Sequence, residues 1–445
     1  MSVAAESRKE PQRDSKFLFS LLCLFFIVEY LRPQDVWPAL STLRPALVVS
    51  ILLVTGLAYQ RRLAGLDDPK IHAVMIFTVL CAIGIFWVPN HRQLFNTTVG
   101  MMVVLFGGML PMIAILQNRL RVRSFFRFWL LLHACLATWG LLISGGTGPG
   151  GFVGDENDFA LVLNMAIPVA ILGAPSLAET RWGRFLCVAC ALLLGLASIS
   201  TLSRGGMVGL AAAVMGMVAV SKHKVRHLLV VAVVTLLSMR FVPDIVVSEI
   251  ATIADPTDDT AVLRFYYWGL AWDMFLDNPI FGIGAANYPW TVQLYEVDSE
   301  ASILGRSVAG RAAHSLYLTL LAELGLTGTI TYVALVLAVL KSLLDNIRAL
   351  RGYGETEAAL IADLSRGMIA SLFSFLLCGA FISVLYYPVF WYAVAATVAL
   401  ERRRRSVIAA HLQSAALPDG TVRHGFEGGG ERHAFNSAAG ARGSY

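Results

Sequence analysis

Mostly apolar runs recur along the chain at 17–31, 46–60, 71–88, 98–116, 125–143, 158–174, 185–200, 205–221, 227–242, 316–340, 367–385 and 387–400. A bilayer span needs about 17–25 such residues, so the longer runs suffice to cross and a few fall short. A soluble fold is excluded: 57% of the 445 residues are hydrophobic and 15% charged, too little polar surface to cover a core. Backbone in hydrocarbon must satisfy its own hydrogen bonds, and runs of this length do so as helices. The expectation is an all-α integral membrane protein of about twelve transmembrane helices. An even count places both termini on one side.

Lysine and arginine near span ends are retained in the cytoplasm. All six lysines (Lys9, Lys16, Lys70, Lys222, Lys224, Lys341) fall in the alternate loops and tails of one face. So do Arg61 and Arg62, the set Arg119, Arg121 and Arg123, and the block RRRR at 402–405. Both termini are therefore expected in the cytoplasm. The opposite face has no lysine and a few arginines, among them Arg204, Arg264, Arg306 and Arg311.

The first apolar run reads as a retained span, because Glu29 and YLRPQDVWP stand where a signal peptide needs small residues for cleavage. All six cysteines lie inside apolar runs and read as small hydrophobes, Cys187 and Cys190 of the one C-x-x-C included.

The expected organisation is a cytoplasmic segment at 1–16, nine spans over 17–242, a long outward loop at 243–315, three spans over 316–400 and a cytoplasmic tail at 401–445. The tail is rich in Ala, Gly and Ser from about 406 and reads as disordered. The outward loop reads as ordered. Within it, 260–275 places Leu263, Tyr266, Tyr267, Leu270 and Met274 on one helical stripe, with Trp268, Trp272 and Phe275 mostly on another face. A helix lying at the headgroup level fits that pattern.

Helix breakers mark the outward face. SGGTGPGG (144–151) runs into FVGDENDFA, which carries Asp155, Glu156 and Asp158 where a span begins. Asp155 or Asn157 there caps the helix, or the segment touches substrate. GIGAAN (282–287) has no preceding strand, so its glycines turn the chain after Pro279 rather than bind a nucleotide.

STLSRGG (200–206) reverses the chain between two spans on the outward side. Arg204 either snorkels from a span end or binds an anion. For the second, Ser203 or Arg204 opens the next helix, whose free N–H groups favour an anion, and Gly205 and Gly206 admit a ligand close to the backbone. The planar guanidinium suits phosphate oxygens. His314 stands where the long loop returns to the membrane. It is either a polar residue at a helix start or a base beside Arg264, Arg306 and Arg311. Glu323, nine residues on, lies on the opposite helix face and is expected to pair within the bundle.

GDENDFALVLNMAIPVA, STLSRGG, LRFYYWGLAWDMFLDNPIFGIGAANY and HSLYLTLLAELGLTG, in that order, resemble the O-antigen ligase and O-antigen polymerase superfamily. The resemblance is dense from about 150 to 330. The acidic GDEND departs from many members, which are less charged there. The resemblance implies a helical glycosyltransferase of GT-C-like fold at the outer face of the bacterial inner membrane, taking its glycan from undecaprenyl diphosphate. The acceptor is a hydroxyl of a glycan, lipid or protein, among membrane lipid, with no nucleic acid partner. It places the family's essential arginines on Arg204 and Arg264 and its essential histidine on His314.

Arg204 and Arg264 then hold the diphosphate in place of a metal clamp, His314 takes the acceptor proton, and attack opposite the leaving group inverts the anomeric carbon. Arg311, Asp155, Asn157 and Asp158 are further substrate-binding candidates, and Tyr267 and Trp268 offer rings for sugar faces. No metal or other cofactor is expected. A ligase is the first reading. A polymerase of O-antigen or exopolysaccharide repeat units is the alternative. A transporter of the same lipid ranks lower, because no paired broken helices are visible in the two halves. A purely structural component ranks last.

Overall fold

The computed structural model describes residues 16–61, 64–221, 224, 259–296 and 308–415. The span expected at 227–242, Arg306, parts of the long loop and the tail beyond 415 lie outside these residues. Among the described residues the chain is helical and contains no strand.

Among the described residues the twelve longer helices are α1 (Lys16–Leu31), α2 (Pro45–Tyr59), α3 (Pro69–Ile83), α4 (His91–Val103), α5 (Arg119–Trp139), α6 (Glu156–Leu177), α7 (Arg181–Ser200), α8 (Arg204–Val220), α9 (Asp259–Asp277), α10 (Leu316–Ala349), α11 (Thr356–Cys378) and α12 (Pro388–Ala415). α4 runs on through a π-helical stretch, Val104–Met109, to Ile115. Side chains that hydrogen-bond free backbone N–H groups open most of them: Asp68, Asn90, Asn118, Asp155, Thr180, Ser203 and Ser315 cap α3 to α8 and α10.

Eleven of the expected apolar runs coincide with helices, but their lengths differ. Seven are long and apolar enough to cross a membrane among the described residues: Pro69–Phe86, His91–Ile115, Arg119–Ser144, Glu156–Leu177, Arg181–Ser200, Leu316–Ala349 and Thr356–Phe381. α1, α2 and α8 have 16, 15 and 17 residues. α12 continues through the arginine block to Ala415, ten residues into the stretch expected to be irregular. Its charges are absorbed there by Asp67, which bonds Arg402, Glu357, which bonds Arg403, and Glu401, which bonds Arg405.

α6 sits at the centre, buried from Asp158 to Ala170 against α7, α8 and α11. α7 presents Trp182, Phe185, Leu186, Leu192 and Leu196 outward, as a lipid-facing helix does. Without a hydrophobic force between helices in lipid, small residues and side-chain hydrogen bonds set the packing. α8 shows both. Gly206 abuts Ala160, and Gly216 abuts Ala370. Asn164 Nδ2 donates to the Gly206 carbonyl at 2.8 Å, and Ser374 Oγ to the Gly209 carbonyl at 2.7 Å. Such bonds contribute about 0.6 kcal/mol each in membranes. They fix the start of α8, where Arg204 stands.

The loops assigned to opposite faces gather at opposite ends of the bundle. Lys70, Arg402, Arg403 and Arg405 meet at one end. The turns at 87–90, 145–157, 201–204, 278–296 and 308–314 meet at the other. α9 packs there against α10, burying Tyr267, Leu270 and Met274 in a satellite core with Ile283, Tyr288, Val292 and Ala313. The stripe read from sequence is thus the buried face of α9. Trp272 and Leu276 remain exposed.

α10 is interrupted. Gly325 has φ 59° and ψ −156°, and the chain after α9 runs against the break, donating from Ile283 and Gly284 N–H to the carbonyls of Ala322 and Glu323, each at 2.9 Å. The apolar run 316–340 gives no sign of this break, and the sequence reading, which found no broken helix, missed it.

Candidate active site

Two helix starts are tied together at the end of the bundle where the turns 145–157 and 201–204 meet. Asp155 caps α6, its Oδ1 accepting from Asn157 N at 2.8 Å and from Asn157 Nδ2 at 3.0 Å. Asn157 Oδ1 in turn accepts from Ser203 Oγ at 2.7 Å, while Ser203 Oγ accepts from Gly206 N at 2.8 Å and caps α8. The chain Asp155–Asn157–Ser203 therefore sets the spacing of α6 and α8. The glycine-rich loop lies over the second start: Gly146, at φ 117°, brings its backbone against Thr201, where a Cβ would come within 3.1 Å of Thr201 Cα.

These segments and α9 enclose an open cleft of about 560 Å³, lined by Gly145, Thr147, Asp155, Glu156, Asn157, Thr201–Arg204, Leu263, Arg264, Tyr267, Arg311 and His314. Seven sequence-selected residues meet on its walls: Arg204, Arg264, Arg311, His314, Asp155, Asn157 and Tyr267. They come from four separated stretches of chain, so only the fold brings them together.

Two selected residues do not line it. Asp158, one turn inside α6, is buried, and its Oδ2 accepts from Tyr387 OH at 2.7 Å. The helical rotation that puts Asp155 and Asn157 on the cleft turns Asp158 into the bundle. Trp268 donates Nε1–H to the Ala313 carbonyl at 3.0 Å, so its indole supports the residue before His314. Gly205 and Gly206, expected to admit a ligand, are buried, and Gly206 packs against Ala160.

His314 and Leu202, both on the cleft wall, are non-glycine residues in the left-handed region, at φ 49° and 53°. That conformation costs on the order of 1 kcal/mol or more and persists where surrounding contacts enforce it. Burial lowers the His314 pKa from the usual histidine value, Arg264 and Arg311 lower it further, and Asp155 opposes them. The lowered pKa favours the neutral form of His314, which can accept a proton. Among the described residues, no three His, Cys, Asp or Glu side chains come together as metal ligands would.

Sequence reasoning named Glu156 within the acidic loop but passed over Thr201 and Leu202 on the wall and Tyr387 behind it. Glu156 and Thr201 lay within motifs already singled out. Nothing local marks Tyr387, whose role depends on α6 lying opposite.

No curated protein matches the chain. Several long apolar helices make it a multi-pass membrane protein. Residues 189–333, which hold Arg204, Arg264, Arg311 and His314 but not the acidic cap of α6, match the family model described as O-antigen ligase, a match over about a third of the chain that supports the resemblance to the O-antigen ligase and polymerase superfamily.

Proposed function

We propose that the chain transfers a glycan from undecaprenyl diphosphate to an acceptor hydroxyl at the periplasmic face of the bacterial inner membrane, acting as an O-antigen ligase. The observation that carries this reading is the convergence of Arg204, Arg264, Arg311 and His314 on one open cleft. The acceptor oxygen attacks the anomeric carbon, the carbon–oxygen bond to the diphosphate breaks, and the lipid diphosphate leaves as an anion. Arg204 and Arg264 neutralise the charge growing on that leaving group, the work a metal clamp does in other transferases. His314, neutral at working pH, accepts the acceptor proton. Attack opposite the leaving group inverts the anomeric configuration. Tyr267 offers its ring to a sugar face, and Asp155 and Asn157 hold the opposite wall.

The test is purified full chain with a synthetic lipid-diphosphate glycan and separate acceptors. Transfer to a lipid A or protein hydroxyl supports the ligase; joining of two lipid-linked units makes the chain a polymerase of repeat units instead. Release of no lipid diphosphate with any acceptor overturns the transferase reading.

A further inference from the structure

We propose that Glu323 is a positioning residue for Arg264, acting through the loop that enters the break in α10; the link to catalysis rests on the transferase reading, whereas the linkage itself does not. Glu323 is 2% exposed and its carboxylate accepts three hydrogen bonds: from Ala286 N at 2.7 Å, Tyr288 N at 3.0 Å and Tyr386 OH at 2.6 Å. Two of these donors are backbone groups of the segment that follows α9. That segment is held on its other side as well, Leu326 and Thr327 N–H donating to the carbonyls of Pro279 and Ile280 at 2.8 and 3.1 Å. The close approach requires glycine on both strands: a Cβ at Gly282 would strike the Glu323 backbone, and one at Gly325 would sit 2.6 Å from the Ile280 carbonyl carbon.

The seated loop reaches the cleft through one side chain. Tyr288, 1% exposed, donates its hydroxyl to the Tyr267 carbonyl at 2.8 Å, and Tyr267 lies one helical turn beyond Arg264 on the same wall of the cleft. Glu323 thus fixes Tyr288, Tyr288 fixes this turn of α9, and the turn fixes how near Arg264 stands to His314. A carboxylate suits the seat because all three partners are donors. An amide would turn an N–H₂ toward N–H or O–H groups and lose at least one bond.

His314 reports on the arrangement without any need for turnover. Among the described residues, the charged or titratable groups around it are Arg264 and Tyr267 of α9, Arg311 of its own loop, Asp155 and Glu156 at the start of α6, and Arg204 at the start of α8. If Arg264 retreats, one source of positive potential weakens and the histidine pKa rises toward its ordinary value of about 6.5. The experiment follows the pH dependence of diethyl pyrocarbonate modification of His314, read by mass spectrometry on detergent-solubilised full chain, in wild type, Glu323→Gln, Tyr288→Phe and Arg264→Ala. The expected result is a rise in the His314 pKa in all three variants, with no further rise when Tyr288→Phe or Glu323→Gln is added to Arg264→Ala. Tyr288→Phe keeps the carboxylate seat and decides the question if Glu323→Gln does not fold. An unchanged His314 pKa in Tyr288→Phe, or an equal rise on the Arg264→Ala background, overturns the proposal. Failure of transfer in wild type would sink the transferase reading and leave this titration result standing.

Discussion

At one end of the bundle Lys70 meets Glu401 at 2.8 Å, Arg403 meets Glu357 at 2.7 Å, and Arg402 reaches both oxygens of Asp67. At the other end Arg204, Arg264, Arg311 and His314 share the walls of one cleft with Asp155 and Glu156. Both ends are hollow. The first cavity, of about 370 Å³, has Asp67 and Asp68 beside Arg402, Arg403 and Arg405, and its arginines are tied by ion pairs to Asp67, Glu357 and Glu401. The second, of about 560 Å³, holds a histidine whose pKa burial lowers first and Arg264 and Arg311 lower further, against Asp155. Pairing one to one holds helices together. The cleft end instead sets three arginines and a histidine from separate segments, with two acids, around one opening, where planar guanidinium groups can meet phosphate oxygens. Under the proposed chemistry the cleft end receives a guest, whereas the ion pairs of the other end hold helices together.

The comparison breaks first at His314. His314→Ala is expected to lower transfer about 10²–10⁴-fold, the usual contribution of a general base, while lipid-linked donor still binds through the arginines. In the wild type the rate should fall as pH drops through a pKa below the ordinary histidine value, because only neutral imidazole accepts the proton. Donor binding should change much less over that range, since the arginines stay charged. Equal loss of binding and transfer in His314→Ala would make the histidine a binding or structural residue.

Arg204→Lys comes next. It keeps the charge and loses the planar fork, and the expected loss is about 10²-fold in transfer, comparable to removing one oriented donor from an oxyanion site. Full activity at normal membrane levels would return Arg204 to a snorkelling role.

The smallest effect is expected at the opposite end. Arg402→Ala breaks a pair whose Asp67 partner is 70% exposed, so thermal unfolding should report a loss of about 1 kcal/mol or less, with transfer unchanged. A large fall in transfer from this variant would mean that the two ends are coupled, and the contrast drawn above would fail.

Much of the cleft was legible in sequence because its residues sit where apolar periodicity stops. Arg204 and His314 stand at helix starts, Asp155 and Asn157 at a cap, and Arg264 beside a recognisable stripe on α9. What stayed hidden depends on neighbours that periodicity cannot name. Asp158 is as acidic as Asp155, yet it points at Tyr387 more than two hundred residues away. Glu323 was expected to pair within the bundle, and its partners are a tyrosine and two backbone N–H groups of a loop no local pattern assigns to it. The RRRR block looked like the end of structure, but carboxylates from other segments let the helix continue.

The assembly of the cleft from distant stretches has a consequence in time. A chain made from its N-terminus has Asp155 and Arg204 in place before Arg264 or His314 has been synthesised. Glu323 follows, then Tyr386 and Tyr387, so these supports arrive after every residue that lines the cleft has been made. Under the proposed chemistry a half-made chain can attract a lipid diphosphate but holds no base with which to act on it. Synthesis order alone would then keep the nascent chain from discharging its donor before the acceptor side is built.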